Sequence, residues 1–231
     1  MKVLIVTTSC NLLAPGHPTG LWLDEFTIPY TALDEAGASI VVVSPKGGEV
    51  PIDPKTAPKD ADREKWPAAL RALGSTGRID GVSADDFDAI FIPGGHGPMV
   101  DLVGDRDLQR LIAEFDHQGK IIAAVCHGPA ALLNVRDESG RALVEGRKVT
   151  GFTDMEERLV MLHSVVPFLL QDALKERGAK FESALLPMLS HVVRDGNLIT
   201  GQNPTSSPGL AEELLGALRE PSRSVAEAGP R

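Results

Sequence analysis

Four short apolar runs constrain the fold of this 231-residue chain more than anything else in it. They are residues 3–7 (VLIVT), 39–44 (SIVVVS), 87–93 (FDAIFIP) and 120–125 (KIIAAV). Each is too short for a helix and rich in Val, Ile or other large apolar residues, which reads as a buried strand. Segments 23–37 and 106–117, with helical spacing of apolar residues, lie between them. Strands without a polar face that alternate with helices imply a mainly parallel sheet covered on both sides. In such sheets ligands bind beyond the carboxyl ends of the strands.

The remaining segments carry further expectations. Residues 10–20, rich in Pro and Gly, read as a loop. Pro29 should distort the first helix. Residues 46–85, with four prolines up to Pro67, read as a polar surface excursion with one helix near 66–73. Residues 148–152 read as a strand. Residues 156–177 read as one long helix interrupted or bent at Pro167, with Val160, Leu162, Val165, Val166 and Leu169 as its core stripe. A hairpin is expected around Asp195-Gly196, then a last helix over 208–218. No repeat or linker divides the chain, so one domain is expected over 1–219, with a frayed tail at 220–231.

Composition excludes several functions. The formal net charge is −9 and no block of Lys and Arg stands out, which argues against a nucleic-acid partner. No apolar run is long enough to span a membrane, and the opening MKVLIVTTS lacks the pattern of a signal peptide. Two cysteines make neither a disulfide framework nor a paired zinc motif. The expectation is a soluble cytoplasmic protein with no cofactor and no functional metal.

The chemistry concentrates at Cys126 in KIIAAVCHGPAALLNV. An apolar strand leads into it, and Gly128-Pro129 follow, with Pro favoured at the start of a helix. This is the pattern of a nucleophile elbow, a sharp turn that lifts a side chain above the sheet. Backbone N–H groups and a helix dipole there should favour thiolate over thiol. Taken by position alone, a cysteine after an apolar strand is as often a small buried hydrophobe; the adjacent His127 and the Gly-Pro tip the reading toward chemistry. For Cys10 the bland reading is the better one. The preceding strand ends in PGGHGPM. Gly94 and Gly95 let backbone approach a ligand, and their N–H groups with that of His127 form a candidate oxyanion hole. His96 in the same loop is expected to line the pocket. No GK[ST] follows, so this is not a phosphate loop. His17 reads as a solvated loop residue, His117 and His163 as helix-surface residues, and His191 points either way.

The blocks AAVCHGPAALL, PGGHGPM, VTGFTDMEE and GNLITGQNP, in this order, resemble the ThiJ/PfpI superfamily, and within it the branch of glutathione-independent glyoxalases and class-31 heat-shock-type proteins. The resemblance runs from the first strand to about Ser207. It implies a flavodoxin-like α/β sandwich, a homodimer, and a nucleophile at Cys126 partnered by His127. A carboxylate after the TGF strand completes the triad. Matching GFTDMEE to the family block puts that role on Glu157, and the Thr153–Glu156 capping-box pattern, which gives Glu156 a structural task, supports the choice. The resemblance also places a glutamate of the first helix, Glu25, over the cysteine. The implied reaction converts methylglyoxal or a related 2-oxoaldehyde into a 2-hydroxy acid without glutathione. Ala124 stands where glutamine-hydrolysing relatives carry Gly, and SALLPMLSHVV lacks an aromatic expected near the pocket. A holdase chaperone and a cysteine hydrolase, either a deglycase or a peptidase, are the competing readings.

Overall fold

The computed structural model describes residues 1–220. In chain order it contains β1 (Lys2–Val6), a small hairpin of β2 (Leu12–Ala14) and β3 (His17–Pro18), α1 (Leu23–Glu35), β4 (Ser39–Ser44), α2 (Asp60–Lys65), α3 (Pro67–Leu73), β5 (Gly77–Arg78), β6 (Ala89–Ile92), α4 (Arg106–His117) and β7 (Ile121–Val125). The second half adds β8 (Lys148–Val149), α5 (Asp154–Leu159), α6 (Leu170–Glu176), β9 (Lys180–Phe181), β10 (Val192–Asp195), β11 (Leu198–Gly201) and α7 (Ser207–Arg219).

Seven strands form the central sheet in the order β10-β11-β7-β6-β1-β4-β5. All neighbours pair in parallel except β10 with β11. Successive side chains of a strand point to opposite faces, and the core divides accordingly. Leu4, Val6, Ile90, Ile92, Ile122 and Ala124 pack toward Leu108, Leu111, Ile112 and Phe115 of α4. Val3, Ile5, Phe91, Ala123 and Val125 pack toward Phe26 and Leu33 of α1 and Leu210 and Leu214 of α7. The result is the sheet covered on both sides that the strand pattern implies, in the three-layer, flavodoxin-like form that the family resemblance implies. Ile92 pairs with Ala124, so the loop after β6 emerges beside the turn after β7.

Several expectations are corrected. The 10–20 loop contains the β2–β3 hairpin. Helix α1 runs unbroken through Pro29. The 46–85 excursion holds α2, α3 and the edge strand β5, and buries Val50, Trp66, Ala69, Leu73, Ile79 and Ala84, so part of it belongs to the core. Only Lys148–Val149 is a strand, and it pairs with β9 in a separate two-stranded sheet. The long helix over 156–177 is two short ones. It breaks at Val160, well before Pro167, because Met161 takes a left-handed backbone with φ of 59°. The stripe on that segment is therefore half-buried, not core. The expected tail lies, past Glu220, outside the described residues.

Candidate active site

The site lies at the carboxyl ends of β6 and β7. Cys126 has φ of 59°, a left-handed conformation that a side chain tolerates only when its surroundings impose it. Two backbone bonds do so: Cys126 N–H donates to the Gly201 carbonyl at 2.9 Å, and Phe152 N–H donates to the Cys126 carbonyl at 2.9 Å. The chain then enters a short 3-10 turn, Gly128–Leu132. Gly128 must be glycine, since a Cβ there would overlap the Ile92 carbonyl.

His127 Nδ1 lies 3.4 Å from Cys126 Sγ, and its Nε2 lies 2.8 Å from Glu157 Oε2. Its ring is held between those of His96 and Phe152, at centroid distances of 4.1 and 4.6 Å. Burial, reinforced by the nearby charge of His96, lowers the His127 pKa to about 4, so the imidazole is neutral at pH 7. Nε2 then carries the proton given to Glu157, and Nδ1 presents a lone pair to the thiol. Burial pulls the Glu157 pKa upward, but hydrogen bonds from His127 and His96 overcome it and bring it to about 2. His96 Nε2 lies 2.9 Å from Glu157 Oε1. The loop histidine therefore supports the carboxylate, a role that the sequence does not signal.

Glu25 projects from the first turn of α1 and is fully buried. Its Oε2 accepts the Gly94 N–H at 2.8 Å. That N–H is thereby spent and is not free for an oxyanion. A Cβ on Gly94 would stand 2.6 Å from Glu25 Oε2 and 2.8 Å from the His127 nitrogen, so only glycine fits between them. Glu25 Oε1 makes no hydrogen bond, yet Glu25 and Cys126 are close enough to shift each other's ionisation. Burial raises the Glu25 pKa to about 8, which leaves it a neutral acid at pH 7. Cys126 departs from expectation: burial pushes its pKa up, a charged Glu25 would push it further, and the Gly95 N–H only partly offsets this. The elbow leads into a short 3-10 turn instead of a long helix, so its dipole is weak.

Glu156 points the other way. It closes the capping box with Thr153, accepting from Thr153 N and Oγ1 on Oε2. Its Oε1 accepts from Met188 N, Gln202 Nε2 and Asn203 Nδ2 at 2.7–2.8 Å. The QNP block thus anchors α5, a link that its sequence separation conceals.

A cavity of about 150 Å³ opens beside His96, between the β2–β3 hairpin, the Asp53–Lys55 turn and Leu162. His17 lines its rim, and the 46–85 excursion supplies one wall. A larger cavity of about 540 Å³ lies at the opposite end of the sheet, among Asp116, Asp137, Arg147 and Asp195, far from the thiol. His96, His127 and Glu157 have donor atoms within 4.8 Å of one another, as a metal site would need, but both histidine Nε2 atoms are engaged by the carboxylate.

A parallel α/β sandwich with a thiol on a strand-to-turn elbow, backed by histidine and carboxylate, defines the class. The sequence profile of the DJ-1/PfpI family matches residues 23–217, and the chain belongs to that family. It is 31% identical to the glutathione-independent glyoxalase HSP31 of Saccharomyces cerevisiae, across 94% of this chain and 98% of that one. The solved structure of glyoxalase III from Candida albicans superposes with a TM-score of 0.83 at 26% identity, covering 94% of this chain and 97% of that one. The Rapid Encystment Protein of Francisella tularensis superposes with a TM-score of 0.89 at 37% identity, covering 95% and 99%. The resemblance carried by the four sequence blocks therefore holds. Among the described residues no helix is long and apolar enough to cross a membrane.

Proposed function

We propose that this protein is a glutathione-independent glyoxalase that converts methylglyoxal and related 2-oxoaldehydes into 2-hydroxy acids. The observation that carries the reading is Glu25, a buried neutral carboxylic acid with one free oxygen beside the thiol. Thiol hydrolysis needs only a nucleophile, a base and an orienting carboxylate. Moving a proton between adjacent carbons needs a further acid and base at the adduct, and Glu25 supplies it. The glyoxalase names of its yeast relatives agree with this.

The reaction begins as His127 Nδ1 takes the thiol proton and Cys126 Sγ attacks the aldehyde carbon. Glu25 gives its proton to the carbonyl oxygen, aided by the N–H groups of Gly95 and His127. The product is a thiohemiacetal, with Glu25 now a carboxylate and His127 an imidazolium held by Glu157. In a dry site that carboxylate is a strong base. It removes the proton from the former aldehyde carbon while His127 protonates the neighbouring carbonyl oxygen, giving an enediol. Glu25 returns the proton to the second carbon and His127 takes the hydroxyl proton from the first, giving a thioester. Water adds with Glu25 as base, and the departing sulfur recovers its proton from His127. The sum is one oxoaldehyde plus one water to one hydroxy acid, with every group restored. Glutathione is not consumed, because the protein thiol takes its place.

The buried sulfur favours this over peptide hydrolysis, which needs an open cleft. Both cysteines are free thiols, which suits a reducing cytoplasmic setting. The test is purified protein with methylglyoxal and no glutathione, following lactate beside Cys126→Ala. Lactate from the parent alone is expected; equal lactate from both, or none from either, would overturn the reading.

A further inference from the structure

Methylglyoxal gives the cavity beside His96 nothing to hold, since the far end of that molecule is a methyl group. The walls mix apolar carbon from Leu13 and Leu162 with the polar side chains of His17, Thr19, Asp53, Lys55 and His96. Three of these are buried, with Thr19 3%, Asp53 4% and His96 7% exposed. A buried carboxylate is costly unless donors surround it. Asp53 Oδ1 accepts the Lys55 N–H at 2.9 Å, but Oδ2 has only the Thr19 hydroxyl at 3.4 Å, beyond the usual range for such a bond. His96 Nε2 is taken by Glu157, and its Nδ1 has no partner among the described residues. The cavity therefore holds acceptors short of donors, with Lys55 and His17 exposed at its rim.

Backbone contacts tie this cavity to the thiol. The Gly95 N–H reaches Cys126, and Gly95 packs so closely on the Gly20 carbonyl that no Cβ would fit. Leu21 next donates to the Pro51 carbonyl at 2.7 Å and accepts the Asp53 N–H at 2.9 Å. His96 follows Gly95 directly, so Asp53 and His96 are fixed from two sides to the loop that carries the oxyanion donor. We propose that this cavity holds the far end of the substrate, and that the substrate is a 2-oxoaldehyde with a hydroxylated carbon chain, of the kind a sugar yields on losing water. The inference rests on the glyoxalase reading and gives it a substrate class. Hydroxyl groups of the chain donate to Asp53 Oδ2 and His96 Nδ1 and accept from Lys55, while its C–H faces lie on Leu13 and Leu162. At about 150 Å³ the cavity has room for roughly five waters of about 30 Å³ each, which such a chain displaces. An anionic tail would meet Asp53, and a methyl or phenyl tail would strip water from it without replacing the bond. The reaction is unchanged: one oxoaldehyde and one water give one 2-hydroxy acid.

The probes are 3-deoxyglucosone, methylglyoxal and phenylglyoxal, with the full chain. The parent's kcat/KM for 3-deoxyglucosone should exceed that for each of the others by about tenfold or more, the effect of one or two hydrogen bonds. Asp53→Asn and Lys55→Met should each cut that ratio several-fold. A ratio between substrates is insensitive to a misfolded fraction, and Lys55 is exposed, so its variant keeps the test open if Asp53→Asn fails to fold. Calorimetry of Cys126→Ala, which cannot turn over, should show 3-deoxyglucosone binding more tightly than methylglyoxal. A parent that prefers methylglyoxal or phenylglyoxal, or a preference that survives both substitutions, would overturn the proposal. If no oxoaldehyde is turned over, calorimetry decides alone. Preferential binding of 3-deoxyglucosone that Asp53→Asn weakens would keep this site and sink the glyoxalase reading, whereas equal binding of all three probes would sink both.

Discussion

A glutamate side chain in this site takes its character from its partners. Glu25 and Glu157 are both buried, yet one is neutral and the other charged: at Glu25 burial outweighs the thiol and the loop N–H groups, while at Glu157 two imidazoles outweigh it. For Glu25 the folded pKa of about 8 lies above the ordinary 4.5. The unfolded chain therefore releases a proton that the folded chain keeps, and stability falls as pH rises from 4.5 to 8, by about 1.4 kcal/mol per unit. Glu25→Gln removes this loss. Relative to the parent, its stability in chemical denaturation should improve by a few kcal/mol between pH 4.5 and 8. Its kcat should fall by about two to four orders of magnitude. A variant that is firmer at pH 8 and nearly inactive is the expected outcome. Glu156→Gln should do the opposite. Its carboxylate receives donors only, from Thr153, Met188, Gln202 and Asn203. An amide NH2 must face some of them, so the loss should reach about 3 kcal/mol, beyond the roughly 1 kcal/mol of a cap alone. Urea midpoints of the two variants check both statements.

At the scale of elements, the site depends on two short pieces of structure. The elbow after β7 holds Cys126, and the six-residue α5 holds Glu157. A helix this short has little stability of its own, so its cap and the Glu156 bonds decide where Glu157 stands. Thr153→Ala should cost about 0.5–2 kcal/mol through the lost cap. It should also lower kcat with little change in KM, because Glu157 drifts from His127 while the cavity at His96 stays intact. Thr153→Ser keeps the hydroxyl and should restore both values. Melting temperatures and steady-state kinetics of the pair separate a positional effect from general destabilisation. The elements themselves were legible where their signals were local. The apolar strands, the α4 stripe and the Thr153–Glu156 box all stand where the residues place them. The break at Met161 was not legible, since nothing in a Val-Met-Leu sequence announces a left-handed residue.

For the whole molecule, the proposed mechanism makes two perturbed groups set the working pH range. In it His127 must be neutral to accept the thiol proton, which holds above about 4. Glu25 must start protonated, which holds below about 8. The kcat/KM profile for methylglyoxal should be flat between those limits and fall about tenfold per unit beyond each. Glu25→Gln should lose the alkaline limb from whatever activity it retains. On the acid side stability also declines: Glu157, lowered to about 2, contributes stability that is full above 4.5 and is lost as pH falls toward 2. Stopped-flow rates after brief pH jumps would distinguish the titration of His127 from that unfolding.

The amino-acid sequence by itself determined the parallel sheet covered on both faces, the elbow that carries Cys126 and His127, the glycine loop, and the capping box at Thr153 and Glu156. These rest on periodicity, turn chemistry and capping, which act over a few residues; the preference for Glu157 as the carboxylate partner came with the family resemblance. Tertiary structure alone decided the protonation of Glu25, the raised pKa of Cys126, the place of His96 on Glu157, and the cavity that brings Asp53 to His96. Each of these depends on desolvation or on a partner tens of residues away, such as Gly94 for Glu25 or Gln202 for Glu156. Spacing along a chain encodes which face a side chain takes. How much water is left around it, and which distant donor reaches it, is settled only when the layers close.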